Sequence, residues 1–147
     1  MTLLLHKEIE RLKKMLLSLM ALVEESLNKA VSSLENRDLD MAQSVIQGDD
    51  RIDDMEVEIE EEALKILALH QPVAIDLRFL IAVIKINNDL ERIGDQAVNI
   101  AQRVVTIAKH NRVDFFFDYS GMAEKAATML KMSLDALVNL DVDLAFK

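Results

Sequence analysis

The sequence has no cysteine, one proline, three glycines and a single tyrosine among its 147 residues. Without cysteine, disulfides, thiolate metal sites and cysteine nucleophiles are excluded, and a reducing compartment is permitted. Helix breakers are scarce, and Leu, Ala, Ile, Val, Met, Glu and Lys supply most of the remainder, so the composition reads as nearly all α-helix. Positive charge is also short: 17 Lys and Arg against 26 Asp and Glu give a net charge of −9. That argues against a nucleic-acid backbone as partner, which needs clustered cations to displace counterions, and favours cations or basic protein surfaces. Long apolar runs are missing too. The most apolar stretches, 15–23 and 79–84, fall short of the roughly 18 to 20 residues that span a bilayer. The segment from Thr2 to Glu8 lacks the apolar core of a signal peptide. The expectation is a soluble, cytoplasmic protein.

What is present is helical periodicity. From residue 3 to about 34, Leu5, Ile9, Leu12, Leu16, Leu19, Val23, Leu27, Ala30 and Leu34 recur at spacings of three and four, predicting one long amphipathic helix. Asn36-Arg37-Asp38 interrupts it, with Asp38 as N-cap of a second helix that carries Val45, Ile52, Ile59 and Ile66 to about residue 69. His70-Gln71-Pro72 ends that helix, and Pro72 is expected in the first turn of a third, running to about residue 109. Gly94 inside the third helix costs roughly 1 kcal/mol relative to Ala and suggests close approach of a neighbouring helix. Residues 111–121 form the longest break in pattern. They hold Phe115, Phe116 and Phe117, read either as a plug over one end of the bundle or as a partner-binding patch. A fourth helix follows from about residue 120 to 140.

An internal repeat is also visible. Leu34, Asn36, Asp38, Asp40 and Ala42 are matched in type and spacing by Leu137, Asn139, Asp141, Asp143 and Ala145. The fourth helix therefore reads as a second copy of the first, and Asp141 as the N-cap of a second copy of the second helix. The expected organisation is an antiparallel three-helix bundle over 1–110, a linker over 111–119, and over 120–147 the opening of a second repeat cut short. The apolar face of helix four must then complete a four-helix bundle or pack on another chain, the latter giving a homodimer.

The candidate chemistry is carboxylate. Between Asp49 and Glu62 nine of fourteen residues are acidic, and Asp49, Asp53, Glu56 and Glu60 share one helical stripe. On the third helix Glu91, Asp95 and Asn99 stack four residues apart, an arrangement whose like charges oppose each other by a few tenths of a kcal/mol. A tight turn at 70–72 makes the two helices an antiparallel hairpin in which Asp49 and Asp53 fall level with Glu91 and Asp95. Four carboxylates so placed would hold protons, repel each other or bind a cation. The bland alternative is a pair of solvated polar faces with Arg51, Lys85, Arg92 and Arg103 as counter-charges. An all-oxygen ligand set suits magnesium, calcium, manganese or oxidised iron. No histidine has an acid three residues before it, so a ferritin-like di-iron enzyme site is disfavoured. His110 is better placed to meet the dipole at the end of helix three.

The segments Glu56-Val57-Glu58-Ile59-Glu60-Glu61, Gln71-Pro72-Val73-Ala74-Ile75-Asp76-Leu77-Arg78 and Asp89-Leu90-Glu91-Arg92-Ile93-Gly94-Asp95 closely resemble the PhoU family of phosphate-uptake regulators. The resemblance extends over essentially the whole chain. It implies two tandem three-helix bundles with acid-x-x-x-acid motifs, matched here by Asp49 with Asp53 and Glu91 with Asp95, that hold multinuclear clusters of iron, or of zinc, manganese, magnesium or calcium. Glu56, Glu60 and Asn99 are possible additional ligands, and Arg92 with Phe115 to Phe117 possible partner contacts. It further implies a non-catalytic regulator, often dimeric, linking a phosphate ABC transporter to a sensor histidine kinase, meeting the membrane only through those partners, and repressing the starvation response. The rival readings are a carboxylate-bridged metal enzyme in a helical bundle and a purely structural helical module.

Overall fold

A computed structural model describes residues 2–110 and 118–147. Three long helices, α1 (Thr2–Asn36), α2 (Leu39–His70) and α3 (Ala74–Ile107), run up, down and up, each packed against the other two. The bundle is closed by the predicted apolar stripes. Leu12, Leu16, Leu19 and Val23 from α1, Ile52, Ile59 and Ile66 from α2, and Leu80, Val83 and Leu90 from α3 are all buried. Burying a side chain of this size contributes about 1.5–3 kcal/mol relative to leaving it exposed. That burial, repeated along three stripes, holds helices whose acidic faces repel.

A second, smaller core follows one level up, built from Ala30, Ala42, Val45, Ala97, Ala101 and Val104. Its small side chains let the three helices approach closely near the α1–α2 corner. At that corner Arg37 adopts a left-handed φ of 52°, the Asp38 amide donates to the Ser33 carbonyl at 3.0 Å, and the Asp38 carboxylate accepts from the Met41 amide at 3.0 Å. A left-handed residue closes one helix and an aspartate N-cap opens the next.

The α2–α3 corner differs from expectation in one respect. Gln71, left-handed at φ 43°, caps α2 by donating to the Leu67 carbonyl, but Pro72 lies outside α3 rather than in its first turn. Val73 is the extended N-cap and makes no side-chain capping bond, and Ala74 begins the helix at φ 51°. Two left-handed non-glycine residues within four positions make this turn tight at a cost of the order of 1–3 kcal/mol each. His70 anchors it from inside, its Nε2 2.7 Å from Glu8 Oε2.

Helix α4 (Tyr119–Asn139) packs on α1 and on no other helix of the bundle among the described residues, so it does not complete a four-helix bundle. Leu134 is buried, and Leu130 and Leu137 pack against the main core, while Met122 and Met129 are exposed. Leu140 then turns left-handed at φ 53°, the Asp141 amide donates to the Ala136 carbonyl at 2.9 Å, and the Asp141 carboxylate accepts from the Leu144 amide at 3.0 Å. This is the geometry of the α1–α2 corner, residue for residue. It opens α5 (Val142–Ala145), which buries nothing. Phe115, Phe116 and Phe117 lie outside the described residues.

Candidate metal centre

The site is built by the α2–α3 hairpin. Asn87 is buried and donates through Nδ2 to the Glu56 carbonyl at 2.8 Å, pinning the register of the two helices. Two turns further along α3, Gly94 faces Ile52: a Cβ there would come within 3.3 Å of Ile52 Cγ2 and 3.9 Å of Asp49 Oδ1. The missing side chain is what lets α3 press against α2 at the height of the carboxylates, as expected of a glycine inside this helix.

With the helices so close, Asp49, Asp53 and Asp95 each present a carboxylate oxygen within 4.8 Å of the others. All three are half-buried. Burial first, and then the negative charges of Asp53, Asp95 and Asp50, push the Asp49 carboxyl up from its usual range. Asp53 is pushed up by burial and then by Asp95, Asp50 and Asp54. Glu56 is raised by burial, Glu60 and Asp53. Glu91 responds most strongly: burial, a hydrogen bond to Asp95 and the charges of Asp95, Asp53 and Glu56 raise it to about 7. Near neutral pH this carboxyl is poised between donating a proton to Asp95 and carrying a second charge beside it.

Glu91 thus joins the cluster through Asp95, outside the three-aspartate group. Glu60 is exposed and acts on Glu56 through space. Asn99 is exposed and donates to Gln96 at 3.3 Å, one turn beyond the cluster. Arg92 projects into solvent, 3.7 Å from Asp89. His110 sits at the end of α3 with Nδ1 2.9 Å from the Thr106 carbonyl, as its position before the break predicts.

Asn87 is the residue that spacing alone passed over. It stands four residues before Glu91, so the i, i+4 row on α3 runs Asn87, Glu91, Asp95, Asn99, entering the core at one end and reaching solvent at the other. Its signal in the sequence is a polar residue at a position that continues the apolar seam of Leu80, Val83 and Leu90. The Asn87 Oδ1 and the Asp49 Oδ1 are both buried without a hydrogen-bond partner. Buried oxygens normally find a donor, and leaving one unpaired costs about 1–3 kcal/mol. An orphaned carboxylate oxygen inside a group of three aspartates is a donor set that fits a hard or borderline cation.

Fold and site together define a helical-bundle protein with a carboxylate patch built across one hairpin. Residues 16–104 match the PhoU domain model, and the chain belongs to the PhoU family. It is 37% identical over 143 residues to a phosphate-specific transport system accessory protein PhoU homolog of Aquifex aeolicus, covering 97% of this chain and 65% of the relative. To the Escherichia coli accessory protein PhoU it is 31% identical over 142 residues, covering 97% of this chain and 59% of the relative. The crystal structure of PhoU from Pseudomonas aeruginosa superposes with a TM-score of 0.90 at 37% identity, covering 96% of this chain and 68% of that one. The chain thus spans less than two thirds of the length of these curated relatives. No helix among the described residues is long and apolar enough to cross a membrane.

Proposed function

We propose that this chain is a non-catalytic regulator of phosphate transport and phosphate-starvation signalling that uses a carboxylate-bound metal as a recognition element. The observation that carries the metal is the orphaned, buried Asp49 Oδ1 within 4.8 Å of carboxylate oxygens from Asp53 and Asp95. Asp49, Asp53 and Asp95 hold the ion, Glu91 completes the shell by releasing its proton, and Glu56 lends charge from the next turn. When bound, the ion supplies positive charge that cancels the repulsion between α2 and α3 and presents an ordered, partly charged face to a partner. Iron, manganese, zinc, magnesium and calcium are all admissible to oxygen ligands, and more than one ion can be bridged.

The accessory role in the names of the relatives supports a phosphate ABC transporter as the partner. A sensor histidine kinase as second partner, a homodimer, a cytoplasmic location and the division into a bundle over 1–110, a linker over 111–119 and the opening of a second repeat over 120–147 belong to the same reading. The test is elemental analysis of the chain after loading with iron, manganese or zinc. Asp49→Asn, Asp53→Asn and Asp95→Asn together should remove the bound metal and weaken capture by the transporter. Metal retained at full stoichiometry by the triple variant overturns the site.

A further inference from the structure

The two ends of the three-helix bundle differ in what they expose. Among the described residues, every large apolar side chain of α1, α2, α3 and their turns that is half exposed or more lies at one end, where α1 starts and α2 turns into α3: Leu3, Leu4, Leu64, Leu69, Val73 and Ile75. At the opposite end the exposed ones are Leu39 at 43% and Ile107 at 44%, whereas Val73 is 74% exposed and Leu3 71%. The 2.7 Å contact between His70 Nε2 and Glu8 Oε2 ties the start of α1 to the turn, so these side chains crown a single end. The turn that presents Val73 is itself held by left-handed Gln71 and Ala74. Exposed apolar residues scattered singly need no explanation, but a group gathered at one place marks a contact surface.

The same end carries much of the chain's scarce positive charge. Residues 2–14 and 63–81 hold six Lys and Arg against Glu8, Glu10 and Asp76, in a chain whose net charge is −9. Glu8 is engaged by His70, Glu10 accepts from Lys13 at 3.0 Å, and Asp76 is half-buried in the first turn of α3, where the helix dipole favours it. Each helix contributes one exposed cation close to its end: Lys7 on α1, Lys65 on α2 and Arg78 on α3. None of the three makes an ion pair within 4.0 Å among the described residues. The acidic run of α2 ends at Glu62, which Arg11 meets at 3.8 Å. Asp53 of the carboxylate cluster stands about 25 Å up α2 from the turn at 1.5 Å per residue, well beyond the Debye length of about 8 Å at physiological ionic strength.

We propose that this end of the bundle docks directly on a bilayer surface rich in anionic lipid. Leu3, Leu4, Val73 and Ile75 enter the interfacial region, and Lys7, Lys65 and Arg78 meet the lipid phosphates. Apolar side chains flanked by unpaired cations attach to an interface by burial of apolar surface and attraction to anionic headgroups acting together. Side chains that crown helix ends and a turn wedge into a headgroup layer without needing a matching groove. The bundle lies on the membrane rather than in it, since no helix among the described residues is long and apolar enough to cross. Charge argues against a second copy as the occupant, because docking end to end about a two-fold axis would set these cations against their equivalents. The chain thereby gains a lipid contact of its own, beyond the contact through partners that the family resemblance implies, and this contact does not depend on the carboxylate centre.

The test is co-sedimentation of the full chain, in EDTA, with vesicles of phosphatidylcholine and with vesicles of phosphatidylcholine and phosphatidylglycerol in equal parts. Binding to the mixed vesicles, weakened by salt and absent with phosphatidylcholine alone, is expected. Val73→Ser with Ile75→Ser should lower the partition coefficient about tenfold or more, and so should Lys7→Gln, Lys65→Gln and Arg78→Gln together. All five positions are exposed, so the helical circular dichroism should be retained. Because the chain has no tryptophan, Val73→Trp reports insertion. Its emission should move to shorter wavelength with the mixed vesicles, whereas that of Met122→Trp, at an exposed position of α4, should not. No binding to the mixed vesicles, equal binding to both kinds, an unshifted Val73→Trp emission, or binding indifferent to both sets of substitutions overturns the proposal and leaves this end to an acidic protein surface. The Asp49, Asp53 and Asp95 variants should sediment as the wild type does, so failure of the metal site and failure of this surface are told apart.

Discussion

The α1–α2 and α4–α5 corners share a sequence pattern and a backbone but lead to different outcomes. Each has an aspartate N-cap after a left-handed residue, with the same two hydrogen bonds. The first opens a helix of 32 residues with six of them buried; the second opens α5 only five residues before the last residue of the sequence, and none of its four residues is buried. Capping sets where a helix turns. The stability a helix then contributes comes from the apolar surface it covers, and α2 covers it on both α1 and α3.

The largest effect should come from the core that distinguishes the two regions. Leu90→Ala, at a site 1% exposed between all three long helices, is expected to cost about 2–5 kcal/mol in denaturant unfolding. Leu134→Ala on α4, though buried as deeply, should chiefly speed amide exchange in α4 and leave exchange in the bundle nearly unchanged, because among the described residues α1 is the one bundle helix that α4 contacts. An equal global loss from both would mean that α4 folds as one unit with the bundle.

Next in size is the close approach beside the carboxylates. Gly94→Val should cost about 1–3 kcal/mol by overpacking against Ile52, read as a lower urea midpoint. Smaller again is the capping comparison. Asp38→Ala should cost about 1 kcal/mol, whereas Asp141→Ala should fall within about 0.5 kcal/mol of wild type, because little structure depends on the second corner.

The smallest effect is the pH dependence of the metal-free chain, since its half-buried carboxylates are partly screened. Glu91 is raised from 4.5 to about 7 on folding. The folded state therefore binds more protons than the unfolded one between those values, and stability declines as pH rises through that window. Thermal unfolding should show a lower midpoint at pH 7.5 than at pH 4.5. Glu91→Gln should flatten the difference, and a bound divalent cation should reverse it. A midpoint that rises across the window without metal would contradict the crowding of these carboxylates.

Much of this was legible from residue order. The spacings of Leu12, Leu16, Leu19, Ile59 and Ile66 marked the core, because each helix presents a stripe to its neighbours. The brevity of the turn at His70 was enough to bring Asp49 level with Asp95. Pro72 was misplaced, since its fixed φ is compatible with a first turn and equally with the extended approach it adopts between Gln71 and Val73. Asn87 went unnoticed because a single amide in an apolar seam is indistinguishable by type from a surface residue until its partner, a carbonyl on another helix, is known.

By itself, the sequence determined that the chain is helical, where it turns, which stripes are apolar and which two helices carry the acid, since these follow from local propensity, capping and periodicity. Only the tertiary structure decided that, of the three long helices, α4 rests on α1 among the described residues, that Asp49 buries an unpaired oxygen, that Glu91 joins its cluster through Asp95, and that Leu3, Val73 and Ile75 crown one end of the bundle. Those properties depend on distances between residues on different helices, which are set by how closely the packed side chains let the backbones approach.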